Sequence, residues 1–221
     1  MPERLLPATP PAPAVAVIET GIEALDERLD GLPAGTLAQV YGPAGSGKSS
    51  LALTIAREVT PCCLVLAERL HRRRVIEVIE PVAEEVLVAR PGDLAAQDEA
   101  LQKASDLLAA GRVRAVVLDS LTFLYRFARG SSTDALARLF DELGWLHEAA
   151  REGGGLALVT NQVKGGQDPQ PIGGPGVRHV SDVILRLEQS EGAWRRLELE
   201  KHPFEAAGCA FDVKVTRNGL R

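Results

Sequence analysis

Cysteine is scarce in this sequence, and its spacing excludes the usual uses of the residue. The three cysteines are Cys62, Cys63 and Cys209. An adjacent pair inside an apolar run is a poor candidate for a disulfide, and no spacing among the three suits a zinc site. We therefore expect three reduced thiols in the core of a protein from a reducing compartment.

Long apolar runs and an excess of positive charge are also missing. No run approaches the roughly 18 apolar residues of a membrane-spanning helix. The first residues, MPERLLPATPPAPA, lack the apolar segment of a secretory signal. These absences predict a cytoplasmic protein without a membrane partner. The formal net charge of −5 excludes a protein that coats nucleic acid through bulk positive charge, so any contact with nucleic acid must be local.

The chain has one region that cannot fold into regular structure. Five prolines fall within the first 13 residues, where they oppose both a helix and a sheet strand. We predict a flexible Pro/Ala-rich tail over residues 1–14, for which a partner-docking peptide is the alternative. The rest of the 221 residues, 15–221, is enough for a single domain with a sizeable core.

Short apolar runs alternate with longer amphipathic ones after the tail. The strand-like runs cover residues 37–41, 62–67, 85–89, 113–119, 156–160 and 182–187. Helical patterns lie between them, at about 48–58, 70–80, 93–110 and 133–151. Several strand-like runs are apolar at consecutive positions, as in strands buried on both faces of a parallel sheet. The alternation predicts an α/β fold with a doubly wound, mostly parallel sheet. The period-two patterns RRLELEKH and FDVKVTRNG predict antiparallel strands at its C-terminal edge.

A phosphate-binding loop is the clearest motif. The segment GPAGSGKS, from Gly42 to Ser49, has the Walker A spacing and stands between a predicted strand and a predicted helix. Its glycines let backbone N–H groups converge on phosphate oxygens, and the helix N-terminus adds a partial positive charge. Lys48 is predicted to bridge the β- and γ-phosphates, and Ser49 to bind Mg²⁺ through its hydroxyl. The predicted ligands are therefore ATP and Mg²⁺.

Three polar residues stand at the ends of other predicted strands. Asp119 ends VRAVVLD, Glu68 ends CCLVLAE, and Gln162 follows LALVT. Since ligands of open α/β sheets bind beyond the carboxyl ends of the strands, Asp119 is predicted to hold the Mg²⁺ and Glu68 to orient water. Gln162 is a candidate sensor of the γ-phosphate. A helix cap or turn for Asp119, a solvated loop position for Glu68 and a strand cap for Gln162 are the alternatives.

The segment from Asn161 to His179, NQVKGGQDPQPIGGPGVRH, contains five glycines and three prolines and gives no helix or strand signal. Structureless segments longer than roughly 12–15 residues are uncommon in compact domains and are usually functional or disordered. We predict a functional loop here.

Together these segments resemble the RecA/RadA recombinase superfamily, and within it most closely the archaeal RadB type, which consists of the ATPase core alone. The likeness is carried by the lead-in and Walker A segment ETGIEALDERLDGLPAGTLAQVYGPAGSGKSSLAL, and by LDSLTFLYR, LALVTNQV, PIGG with His179, and LELEKH. The resemblance implies a nucleotide site at Gly42, Gly45, Gly47, Lys48, Ser49 and Ser50. It also implies that Asp119 lies on the magnesium side, that Glu68 activates water, and that Gln162 links the γ-phosphate to a DNA-binding loop.

The resemblance further implies two DNA-binding loops, one after the Asp119 strand and one after Gln162. The second loop, residues 164–176, is expected to be loose without nucleotide and to be ordered by ATP and DNA. The predicted DNA-binding residues are Arg126, Arg129, Lys164 and Arg178. Phe123, Tyr125 and Phe127 are candidates for stacking on bases, with core packing as the alternative.

Three functions fit this resemblance. The first is a RadB-like paralogue with weak or DNA-dependent ATPase activity that binds DNA, mainly single-stranded, and assists recombination and repair. Its partners would include a RadA-type recombinase or a nuclease, and further copies of itself. The second is a KaiC-like ATP-switched regulator that acts on proteins without DNA, and the third is a ring helicase motor. The segments PIGG…RH and LYR favour the first function. Arg69, where the family has a glycine after its glutamate, argues against Glu68 as an efficient base.

Overall fold

A large central sheet organises the molecule. The computed structural model describes residues 16–70, 72–127, 132–164 and 170–221, and the predicted tail at 1–14 lies outside them. The strands are β1 (Val17–Ile18), β2 (Leu32–Pro33), β3 (Thr36–Gly42), β4 (Cys62–Leu66), β5 (Val86–Ala89), β6 (Ala115–Asp119), β7 (Leu156–Lys164), β8 (Gln170–Pro171), β9 (Val183–Gln189), β10 (Trp194–Lys201), β11 (Ala210–Thr216) and β12 (Gly219–Leu220). Among the described residues, ten of these strands form one sheet, and β1 pairs separately with β2.

The strand order confirms the predicted topology. Along the sheet it is β12-β11-β10-β9-β3-β7-β6-β4-β5, and the short β8 pairs with β7 off this path. The six strands from β9 to β5 are parallel. Strands β10, β11 and β12 continue the sheet in antiparallel fashion. The fold is therefore a mostly parallel α/β sheet with antiparallel strands at the C-terminal edge, as the two kinds of periodicity indicated.

Helices cover both faces of the sheet. They are α1 (Glu23–Leu29), α2 (Lys48–Glu58), α3 (Arg72–Ile79), α4 (Leu94–Ala109), α5 (Ser132–Gly153) and α6 (Gly174–Val180), with 3₁₀ turns at Glu80–Glu85 and Leu124–Phe127. One apolar cluster lies on each face of the sheet. In β3, Ala38 and Val40 pack with α2, whereas Leu37 packs with α4 and α5. The consecutive apolar residues of the parallel strands are thus buried on both sides, which fixes their register.

The segment from Asn161 to His179 is more ordered than its composition predicts. Strand β7 continues to Lys164, Gln170–Pro171 forms β8, and Gly174–Val180 forms α6. Residues 165–169 lie outside the described ranges. The sequence interpretation was wrong about α6 because a positive-φ glycine, Gly173 (φ 93°), and a proline in the first turn begin this helix, and both read as loop signals.

Two of the three cysteines lie in the core as predicted. Cys62 and Cys63 are free and buried in β4, as expected, but Cys209 is only partly buried, so it is not a full core thiol. None of the helices in the described ranges combines the length and apolar character needed to cross a bilayer.

Candidate functional site

The loop between β3 and α2 has a backbone that only glycine adopts readily. Gly45 and Gly47 have φ angles of 77° and 104°, and Gly47 caps α2. Gly42 is required for a different reason. A Cβ there would lie 2.0 Å from the carbonyl oxygen of Leu187 in β9. The loop is therefore shaped by its own angles and by close packing against the neighbouring strand.

Lys48, the first residue of α2, directs its side chain back into this loop. Its side chain is buried, and Nζ donates to the carbonyl oxygens of Gly42 and Pro43, at 2.8 Å each. Burial lowers the pKa of Lys48, while the charges of Glu68 and Asp119 raise it. The ammonium group is thus held inside the loop, where an anion bound to the loop would meet it.

Asp119, the last residue of β6, has one satisfied and one unsatisfied oxygen. The carboxylate is 1% exposed, and Oδ1 accepts a hydrogen bond of 2.5 Å from Thr160 Oγ1. Oδ2 is buried without a hydrogen-bond partner among the described residues. Burial raises the pKa of Asp119, and the Thr160 and Ser49 hydroxyls and the Lys48 ammonium lower it. A buried carboxylate oxygen without a donor fits a metal cation or water held by one.

The same neighbourhood contains a second unsatisfied oxygen. The Ser46 hydroxyl of the loop is fully buried and has no hydrogen-bond partner in the described part of the chain. No group of three or more His, Cys, Asp or Glu side chains among the described residues could hold a metal by itself. The Ser49 hydroxyl and the Asp119 carboxylate are oxygen ligands of the kind that Mg²⁺ takes in nucleotide sites, where one or two protein oxygens are joined by oxygens from phosphate and water.

The sheet brings the predicted site residues together at the carboxyl ends of its parallel strands. Gly42 of β3 pairs with Gln162 of β7, and Asp119 pairs with Leu66 at the end of β4. The Glu68 backbone N–H donates to the Asp119 carbonyl oxygen at 3.0 Å. Because β3, β7, β6 and β4 are consecutive parallel neighbours, the phosphate loop, Gln162, Asp119 and Glu68 all lie at the carboxyl ends of the strands.

A chain of side-chain hydrogen bonds leads outward from Glu68. Gln162 Nε2 donates to Glu68 Oε2 at 3.4 Å, and Arg126 Nη2 donates to Gln162 Oε1 at 2.6 Å. Asn161, the residue before Gln162, is fully buried and accepts from Thr122 Oγ1 at 3.1 Å. The backbone that carries Gln162 is therefore fixed while its side chain bridges the two charged groups.

The predicted DNA-binding residues differ in their surroundings. Arg126 and Lys164 are exposed and border the same end of β7. Arg178 of α6 is only partly exposed and forms an ion pair with Glu200 of β10, whose other carboxylate oxygen accepts from the Tyr41 hydroxyl. Arg129 lies outside the described residues. Two of the four cations are thus available at one place, and Arg178 is partly neutralised.

The three aromatic candidates for stacking on bases differ in burial. Phe123 and Tyr125 are partly buried and pack against the α4–α5 cluster, in agreement with the core alternative. Phe127 is 69% exposed and meets Phe123 edge to face, with ring centroids 5.5 Å apart.

Three further side chains reach the phosphate loop and were not selected from the sequence. Arg74 of α3 donates from Nη2 to Ser50 Oγ at 3.1 Å. Arg195 of β10 donates to the Gly45 carbonyl oxygen at 3.5 Å, and Gln189 Nε2 of β9 lies so near the loop that a Cβ at Gly45 would be 2.9 Å from it. The run of three arginines at 72–74 is a signal that could have directed attention to α3. Nothing in a single sequence shows that β9 lies beside β3.

Comparison with known proteins identifies the family. The family model described as Rad51 matches residues 13–220. The DNA repair and recombination protein RadB of Halobacterium salinarum is 33% identical over 223 residues, which cover 92% of this chain and 94% of the relative. RadB of Archaeoglobus fulgidus is 30% identical over 217 residues and covers 92% and 97% of the two chains.

A solved structure agrees with these relatives. The crystal structure of the RadB recombinase superposes with a TM-score of 0.74 and 27% identity, covering 92% of this chain and 98% of that one. The chain therefore belongs to the Rad51 family within the RecA/RadA recombinase superfamily, and it is similar to RadB proteins over nearly its whole length.

Proposed function

We propose that this chain binds and slowly hydrolyses ATP, binds DNA, and assists homologous recombination and repair. The names of its relatives, DNA repair and recombination proteins, support the biological role. The observation that carries the chemistry is the buried pair of Lys48 and Asp119 beside the phosphate loop, with Asp119 Oδ2 lacking a donor. A buried ammonium and a carboxylate with an open oxygen are the two groups that a magnesium-bound triphosphate needs.

Each residue has a distinct task in this proposal. The loop N–H groups and Lys48 bind the phosphates, with Lys48 exchanging its bonds to the Gly42 and Pro43 carbonyls for phosphate oxygens. Ser49 and Asp119 hold Mg²⁺, which when bound neutralises the charge that develops on the phosphates. Glu68 orients the attacking water and accepts its proton.

Gln162 connects the nucleotide to the DNA-binding surface in this proposal. Its amide reaches the γ-phosphate side of the site and biases the order of residues 163–177, which run from the end of β7 through β8 into α6. Arg126 and Lys164 contact the DNA backbone beside that segment. The exposure of both cations and their position at the end of β7 support this assignment.

Substitution of the loop lysine tests the nucleotide site. Lys48→Ala should abolish binding of a fluorescent ATP analogue, because no other cation in the described loop replaces the buried ammonium. Lys103→Ala removes an exposed lysine that pairs with Glu99 on α4, and it should bind the analogue as the unaltered protein does. Equal binding by the two variants would refute the phosphate-loop assignment.

The DNA-linked function is tested by titration of a fluorescent single-stranded oligonucleotide with and without ATP. A higher affinity in the presence of ATP supports the proposal. Nucleotide binding without any DNA affinity would instead favour an ATP-switched regulator that acts on proteins.

A further inference from the structure

We propose that Arg126 is a positioning residue that fixes the orientation of the Gln162 amide and thereby restrains Glu68 until a polyanion binds the guanidinium. The inference rests on the proposed function, since it takes Glu68 as the group that activates water. It adds a route from the DNA-binding surface to the hydrolytic centre that passes only through described side chains.

The polarity of a carboxamide is the basis of the inference. A guanidinium has only donors, so it can pair with the amide oxygen and not with the NH₂ group. The 2.6 Å bond from Arg126 Nη2 to Gln162 Oε1 therefore turns the Gln162 NH₂ group towards Glu68, where it donates to Oε2 at 3.4 Å. Without Arg126, the amide oxygen loses that hydrogen bond, and the side chain is free to turn its NH₂ group away from the carboxylate.

The bond to Gln162 opposes the role proposed for Glu68. The Gln162 NH₂ group occupies Oε2, an oxygen that the attacking water requires. While Arg126 holds the amide, Glu68 is therefore kept from the water, and hydrolysis is slow.

The arginine is placed to exchange this partner for phosphate. It lies on the 3₁₀ turn Leu124–Phe127, which is anchored by the buried Leu124 and the partly buried Tyr125, while the Arg126 side chain itself is exposed. A guanidinium forms stronger hydrogen bonds with a phosphate than with a neutral amide. A nucleic-acid backbone at this turn would therefore draw Arg126 away from Gln162 and release Glu68.

Hydrolysis rates test the restraint. Arg126→Ala should raise the rate of ATP hydrolysis without DNA about fivefold, which corresponds to the free energy of about one hydrogen bond. Saturating DNA should not stimulate hydrolysis by this variant any further. Arg126→Lys keeps the charge and can still donate to the amide oxygen from a shorter side chain, so its DNA-free rate should fall between those of the unaltered protein and Arg126→Ala. Lys103→Ala, which removes an exposed cation on α4, should leave the DNA-free rate unchanged. An unchanged or lower DNA-free rate in Arg126→Ala would overturn the inference, because loss of a DNA contact or of local structure predicts no increase.

A second measurement decides the inference even if the chain hydrolyses no ATP. The side-chain NH₂ signals of Gln162 in ¹⁵N-labelled, nucleotide-free protein can be assigned by comparison with Gln162→Asn. They should shift when Arg126 is replaced by alanine and also when the oligonucleotide is added. Identical signals in the unaltered protein and Arg126→Ala would disprove the restraint, whereas shifted signals without any hydrolysis would refute only the proposed ATPase.

Discussion

At the scale of single residues, Gly42 shows how little space the phosphate loop has. A methyl group at this position would collide with the Leu187 carbonyl oxygen, which is backbone and cannot rotate away. Gly42→Ala should therefore displace the loop or β9 and destabilise the protein by about 1–3 kcal/mol, with a clear loss of nucleotide affinity.

Gly144→Ala is the matched control, because a Cβ there meets no atom within 4 Å and the residue lies inside α5. It should be neutral or slightly stabilising, since alanine favours a helix over glycine. Urea unfolding and analogue titration of both variants provide the measurement. Unaltered nucleotide affinity in Gly42→Ala would show that the contact with Leu187 is relieved at no cost to the loop.

Glu142 is a buried acid that lies apart from the nucleotide site. It is fully buried on α5, and Gln97 Nε2 donates to both of its oxygens, at 2.9 and 3.0 Å. Burial raises the pKa of Glu142 to about 8, and the neighbouring Asp98 carboxyl adds to the increase. Asp98 is in turn ion-paired with Arg138, and the Gln97 amide and the Tyr125 hydroxyl lower the pKa of Glu142.

This raised pKa predicts a pH-dependent stability. Between the ordinary pKa near 4.5 and about 8, the folded protein holds a proton that the unfolded chain has released. The free energy of unfolding therefore falls as the pH rises through this window, by about 1–3 kcal/mol between pH 6 and pH 8. Glu142→Gln should flatten this dependence, as measured by urea unfolding at several pH values. Parallel curves for the two proteins would contradict the prediction.

At the scale of elements, a buried hydroxyl of α2 binds the last strand of the sheet, β12. Thr54 of α2 is fully buried, donates to the Ser50 carbonyl oxygen at 2.9 Å, and accepts from the Leu220 N–H at 2.7 Å. Thr54→Val keeps the shape but leaves the Leu220 N–H without an acceptor, so it should cost about 1–3 kcal/mol of unfolding free energy.

Thr54→Ser keeps the oxygen and should retain most of that stability. Hydrogen exchange of the Leu220 amide separates the two variants, since the amide should exchange faster only in Thr54→Val. Equal exchange rates would mean that the hydroxyl does not hold β12 to α2.

Long elements were predictable from the sequence and short ones were not. The apolar runs of β4, β6 and β7 and the pattern of α2 span enough residues to reveal a period, and the structure confirms them. Strands β1, β2 and β8 have two residues each, which is too few for a period.

At the site, Asp119 and Glu68 could be found because they end predicted strands. Arg195 could not, because its contact with Gly45 depends on β10 lying two strands from β3, which local sequence does not encode.

At the scale of the whole molecule, the net charge of −5 confines DNA binding to a few cations. If Arg126, Arg129 and Lys164 each neutralise one phosphate and Arg178 stays with Glu200, the logarithm of the affinity for single-stranded DNA should fall with the logarithm of salt concentration with a slope of about −2. Anisotropy titrations over a series of salt concentrations measure this slope.

A charge-removing variant refines the same experiment. Lys164→Ala should make the slope shallower by about 0.7, because one phosphate contact is lost. A slope much steeper than that of the four predicted cations together would show that DNA is bound elsewhere on the molecule or by several copies of it.

The close packing of the phosphate loop against late strands has a consequence for biosynthesis. Gly42 faces the Leu187 carbonyl, and the Gly47 position faces Val215, so the loop is shaped by residues that leave the ribosome long after it. A nascent chain that has only its Walker A segment outside the ribosome therefore lacks Leu187 and Val215, which pack against the loop in the folded protein. Since a ligand stabilises only the state that binds it, the proposed ATP binding would protect the completed protein against degradation but would not rescue a chain whose translation stopped before β11.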